Sequence, residues 1–138
     1  MRERFVTDPS TIAGKAIPAD RSLFSEGIAW DDHKIAYMAK RCEGRAVLDI
    51  GCVEHDPDNY RSPYWLHKAL KQKATSLTGL DLSREGVDFL RDRGFEIVCQ
   101  DAQSFDLGRR FEVIVAGDVI EHLEDHAGFL RSVKRHLE

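Results

Sequence analysis

Cysteine is scarce in this chain. Cys42, Cys52 and Cys99 are odd in number and far apart. They form neither a zinc-ligand spacing nor a disulfide framework, which fits a reducing cytosol. No apolar run approaches the roughly 20 residues of a membrane-spanning helix. The opening MRERFVTDPS is basic but has no apolar stretch, so we read no secretory signal and expect a cytoplasmic protein. Positive charge is not in excess either. The formal net charge is −4 and the pI about 5.9. Nucleic-acid binding is disfavoured, because no basic stripe is visible. Neither GxxxxGK(S/T) nor GxGxxG occurs, which argues against P-loop chemistry and against a pyrophosphate cradle. There is no internal repeat and no low-complexity segment. What remains is 138 residues, 42% apolar and 32% charged. That is one domain, large enough to fold without disulfides or metal.

Residues 1–26 hold Pro9, Gly14 and Pro18 among polar residues and read as an irregular arm. The remainder, 27–138, reads as one domain of alternating strands and helices. A helix over Trp30–Cys42 carries Asp31 and Asp32 at its start and Lys40 and Arg41 at its end, with Gly44 as the stop. Ala46–Ile50 is a short apolar run, the pattern of a buried strand. Ser62–Lys73 predicts a helix with Ser62 as N-cap, Pro63 in the first turn and a buried stripe of Trp65, Leu66, Ala69 and Leu70. Ser76–Leu82 is a second strand. Ser83 then caps a helix through Arg93, with Leu82 and Val87 as a staple and Gly94 at C′. Phe95–Cys99 and Phe111–Ala116 are the third and fourth strands. The last helix spans about Asp125–Leu137, with Phe129, Leu130, Val133 and Leu137 facing inward. Such alternation predicts right-handed crossovers and an α/β, three-layer, doubly wound parallel sheet. Ligands bind beyond the C-terminal ends of strands in such sheets.

The strand ends therefore carry the functional reading. The first ends in Asp49-Ile50-Gly51-Cys52, where Gly51 either lets a ligand approach the backbone or simply makes a tight turn. The second ends in Asp81-Leu82. An acid there can accept hydrogen bonds from both hydroxyls of a ribose, or favour the dipole of the next helix. The third ends in Gln100-Asp101-Ala102, a polar loop in which a carboxylate and a backbone N–H can face an adenine edge. The fourth ends in Gly117-Asp118 and runs into Val119-Ile120-Glu121-His122-Leu123.

In order and position, the segments VLDIGC (47–52), SLTGLDLS (76–83), VCQDAQSFDL (98–107) and FEVIVAGDVIEHL (111–123) resemble the class I S-adenosylmethionine-dependent methyltransferases. The resemblance runs from about Arg45 to Glu138. It implies a Rossmann-like fold with S-adenosylmethionine as cofactor. Asp49 and Gly51 would line the methionine end, and Asp81, with Leu82 beside it, would hold the ribose. Asp101 and Ala102 would hold adenine, and Gly117 and Asp118 would border the sulfonium and the acceptor. The implied reaction is direct methyl transfer to a small-molecule or sugar acceptor, with Asp118 and His55 as candidate bases. Two departures stand out. The family's usual GxGxG loop here reads Gly51-Cys52-Val53-Glu54-His55, and the stretch to Asp81 is long, taking in Asn59, Tyr60 and Trp65. The family's sheet has seven strands, whereas the pattern here gives four. The expectation is a fragment truncated after the fourth strand, or a partner that covers the sheet, with self-association through the 111–116 edge.

Rival readings are a non-catalytic module that binds an adenosine ligand and a nicotinamide-dependent oxidoreductase. The absent glycine fingerprint argues against the latter. His122 and His126 stand at i, i+4, but we read a solvated helix start and no metal site. Cys52 reads as small buried packing, and Lys68, Lys71 and Lys73 as a solvated helix face.

Overall fold

Alternation along the chain becomes alternation in space. The computed structural model describes residues 30–138; the arm expected over 1–26 and the expected domain start at 27 lie outside the described residues. Helix α1 (Trp30–Arg41) leads into β1 (Ala46–Ile50), followed by a 3₁₀ turn at Pro57–Arg61 and α2 (Leu66–Lys73). Then come β2 (Ser76–Asp81), α3 (Arg84–Arg91), β3 (Ile97–Cys99), β4 (Val113–Ala116), a 3₁₀ turn at Ile120–His122, and α4 (His126–His136). The four strands form one parallel sheet in the order β3-β2-β1-β4. Residues Ile35–Glu138 make one compact unit. The expected Rossmann-like, doubly wound α/β sheet is present.

β1 is the spine. It pairs with β2 on one side and β4 on the other, and its last four side chains are all buried. The period-2 alternation of a strand sends Leu48 and Ile50 to one face and Val47 and Asp49 to the other. Leu48 and Ile50 join Leu80, Phe105, Phe111 and Phe129 under α4. Val47 joins Val115, Leu70, Ala39 and Cys42 under α1 and α2. A third cluster, Cys52, Trp65, Val87, Leu90 and Ile97, ties α3 to β3. Two apolar faces with helices on both are the three layers that the sequence predicts.

Several sequence expectations change, and the third strand starts at Ile97 rather than Phe95. The second helix begins at Leu66, not Ser62. Ser62 instead closes the Pro57–Arg61 turn, whose N-cap is Asp56, with its side chain accepting from the Asp58 N–H. The Ser62 hydroxyl accepts from the Tyr64 N–H, a local turn that does not continue into the helix. In α4, Phe129 is buried but Leu130 is 62% exposed, and Leu137 is 41% exposed. The fourth strand is shorter than 111–116. Phe111 leaves the ladder to β1 and bridges Leu137 instead, with its N–H donating to His136 O (2.7 Å) and its carbonyl accepting from Glu138 N–H (3.0 Å).

Adjacent positions on α4 should therefore respond very differently. Phe129→Ala opens a cavity under the sheet and should cost about 3–5 kcal/mol. Leu130→Ala on the open face should stay within about 0.5 kcal/mol. Urea denaturation of both variants checks this.

Candidate functional site

The C-terminal ends of all four strands open into one cavity of about 510 Å³. That is within the roughly 300–1,000 Å³ of small-molecule sites. Asp49, Gly51, Asp81, Leu82, Asp101, Ala102, Gly117 and Asp118 all line it, and so does His55. Every site residue named from the sequence is thus brought together. The lining also holds Trp65, from the long stretch that departs from the family pattern, and residues that the sequence reading passed over, His67 and Gln103 among them.

Asp49 lies deepest, at 2% exposure. It points to the α2 face of β1, where the first turn of α2 brings His67, itself 1% exposed, to meet it. The distance from Nδ1 to Asp49 Oδ2 is 2.8 Å. Asp49 is register partner to Gly79 on β2. A Cβ at Gly79 would lie 2.6 Å from Cys52 Sγ and 3.0 Å from both His67 Cε1 and Ile97 Cγ1, so a side chain there would displace the thiol first and crowd the imidazole. Burial pushes the Asp49 carboxyl above its ordinary value; the His67 hydrogen bond pulls it down and the Asp81 charge adds to the rise.

The loop after β1 is held by side chains. The Trp65 indole N–H donates to Cys52 O at 2.8 Å, and the Val53 N–H donates to Asp81 Oδ2 at 2.9 Å. Gly51 has φ +75°, and a side chain there would strike the Val119 methyl. Its glycine character thus serves the turn and the packing of the β4 loop, rather than ligand approach alone. The Cys52 thiol is buried and pushed well up by desolvation, which fits packing and not nucleophilic use.

Asp81 accepts one backbone N–H on each oxygen, from Val53 and from Ser83 (2.9 Å). Asp101 is no idle loop carboxylate. It accepts from Gln103 N–H (2.8 Å) and from the Gln103 carboxamide, whose oxygen in turn accepts from the N–H groups of Glu124 and Asp125. Gln103 thereby pins the loop after β3 to the start of α4. Asp118, His55 and His122 are exposed at the mouth. Among the described residues, Glu54 brings the lining carboxylates to five, Asp49, Glu54, Asp81, Asp101 and Asp118, and no lysine or arginine joins them. Such a lining suits a cation and opposes a pyrophosphate. No three His, Cys, Asp or Glu side chains among the described residues group at metal-binding range.

A family profile described as a methyltransferase domain matches residues 26–138. The chain belongs to the methyltransferase domain family. Pavine N-methyltransferase of Thalictrum flavum subsp. glaucum is 25% identical over 136 residues, covering 88% of this chain and 36% of the relative. Among solved structures, DesVI of Streptomyces venezuelae aligns with a TM-score of 0.63 at 22% identity, over 85% of this chain and 51% of its own. The glycopeptide N-methyltransferase MtfA in complex with S-adenosylmethionine aligns at 0.58 and 23%, over 76% of this chain and 49% of its own. The chain thus spans about half the length of these solved structures and about a third of the curated relative. No helix among the described residues is long and apolar enough to cross a membrane.

In this methyltransferase domain the buried acid makes stability depend on pH. The folded Asp49 value lies above the unfolded one, so the folded state holds more protons between the two. Stability is therefore greatest below the unfolded value and falls as pH rises through the folded one. Asp49→Asn keeps an acceptor for His67 but cannot ionise. It should raise the melting temperature at neutral pH, with the gain shrinking towards acid pH. Calorimetric scans of both proteins across pH test this.

Proposed function

We propose that this domain binds S-adenosylmethionine across its four strand ends and directs methyl transfer to a small-molecule nucleophile. The observation that carries the reading is the acid-lined cavity at the C-terminal ends of a parallel sheet. When bound, S-adenosylmethionine supplies a methyl already made electrophilic by its sulfonium, which leaves the protein mainly the work of positioning.

The residues present fit that ligand. Asp49 offers a buried counter-charge to its cationic end. A carboxylate has about four acceptor sites, and Asp81 uses two on backbone N–H groups, leaving two for a ribose diol. Asp101 and the Ala102 backbone would face adenine, with Leu82 on the rim. Gly117 and Asp118 would border the methyl and the acceptor, and Asp118 or His55 would take the acceptor's proton. The same five carboxylates disfavour a nicotinamide dinucleotide, whose pyrophosphate would meet like charge. The names of pavine N-methyltransferase and glycopeptide N-methyltransferase support an amine as the acceptor's reactive group. The free thiols of Cys42, Cys52 and Cys99 support a reducing, cytoplasmic setting.

Calorimetry with S-adenosylhomocysteine tests the assignment. Asp81→Ala removes two acceptors from a partly desolvated diol and releases the Val53 N–H, so affinity should fall by about 1–3 kcal/mol. Equal affinity of wild type and variant would remove Asp81 from the site.

We also propose that the chain self-associates through β4. Parallel alternation turns the N–H and C=O groups of Val113 and Val115 to the outer edge, while those of Phe111 are taken by His136 and Glu138. Sedimentation should show concentration-dependent association. Val113→Pro deletes an outward N–H and should weaken it. A wild type that is monomeric at every concentration overturns the proposal.

A further inference from the structure

His67 plays no part in the motifs that mark the strand ends, yet it is locked more firmly than any group at the mouth. Its ring lies 5.1 Å from the Trp65 ring at 34° and 6.1 Å from the Phe95 ring at 64°. Gly79 leaves it just enough room, and the Trp65 hydrogen bond to Cys52 O fixes its stacking partner. Among the described residues, His67 is the one side chain hydrogen-bonded to Asp49. Facing an ionised carboxylate, Nδ1 is the ring nitrogen that carries the proton and donates.

We propose that His67 is a positioning residue for the cationic end of the ligand, holding the Asp49 carboxylate ionised and aimed into the cavity as its counter-charge. This rests on the methyltransferase reading of the same pocket.

The argument is one of competing effects. A carboxylate this deeply buried takes up a proton unless a donor stabilises its charge. The other groups that act electrostatically with Asp49 give no help. Asp81 at the end of β2 repels it, and the buried thiols of Cys52 after β1 and Cys42 after α1 are neutral when protonated. Among the described residues, only α2 supplies a compensating side chain. Depth makes that group matter, since a buried counter-charge is screened far less than Glu54 or Asp118 at the exposed mouth.

The test compares two ligands on the whole chain. S-adenosylhomocysteine carries the ammonium, whereas methylthioadenosine keeps the nucleoside and lacks the amino-acid end. His67→Phe keeps the ring and removes the donor. Titration calorimetry should show S-adenosylhomocysteine weakened on the order of tenfold or more and methylthioadenosine changed less than about twofold. The loss should grow as pH falls. His67→Asn returns an N–H near the Nδ1 position and should restore most of the affinity, whereas His67→Gln should not. In the ligand-free chain, the Asp49 carboxyl carbon signal should titrate at higher pH in His67→Phe than in wild type. If His67→Phe does not fold, the Asn and Gln pair decides.

Equal losses for both ligands, or an unmoved Asp49 titration, overturn the proposal. A wild type that binds both ligands equally well keeps the methyltransferase reading and overturns this one. A wild type that binds neither overturns both.

Discussion

A carboxylate on the central strand of a parallel sheet is the constraint around which the rest is arranged. β1 pairs on both sides and is covered on both faces, so Asp49 has no route to bulk water except the cavity at its own end. Burying such a group is costly unless it is hydrogen-bonded. α2 must deliver a donor at that depth, β2 must lack a side chain opposite, and the connection from β1 to α2 must run where both hold. His67, Gly79 and the Trp65 anchor on Cys52 are the three answers to that one requirement.

The same requirement explains the unusual loop after β1. Without a run of glycines, the backbone between Gly51 and Val53 cannot depend on its own conformational freedom. It is tied at one carbonyl by an indole and at one N–H by Asp81. The long stretch through the Pro57–Arg61 turn brings that indole into place. Tyr60 packs edge-on against Phe89 and Phe95, and Phe95 in turn meets Trp65, so the turn, α3 and the loop before β3 brace one another. Extra length here substitutes side-chain anchors for backbone flexibility.

The strand ends were legible in the sequence because strands buried on both faces read as apolar runs, and because polar residues just beyond them have few structural reasons to be there. Asp49, Asp81, Asp101 and Asp118 all reach one cavity for that reason. The start of α2 differs because Ser62-Pro63 carries cap-and-proline chemistry without opening a helix: α2 starts at Leu66 after Trp65, which makes no side-chain cap, so the sequence there holds no start signal. Leu130 was assigned inward because a 3.6-residue period accepts either neighbour of Phe129; only the tilt of α4 on the sheet decides. His67 was missed for a different reason. Within SPYWLHKALKQK it looks like one more polar residue of an amphipathic helix, and its role depends on a carboxylate 18 residues earlier and a glycine 12 residues later. A polar residue beside the buried Trp65 and one turn before the buried Leu70 was the one available signal.

Like charge at close quarters links the site to stability. Asp81 raises the Asp49 carboxyl, so the fold carries a repulsion that packing does not need. Positive charge beside Asp49, as the proposed ligand would bring, offsets it, and anything that binds the folded chain alone stabilises it by mass action. Anchoring Asp81 through two backbone N–H groups and Asp49 through one imidazole keeps both carboxylates from turning away. On the proposed reading this is preorganisation: Asp49 already stands where the ligand's positive charge would lie and Asp81 where its ribose would, so little reorganisation would remain on binding.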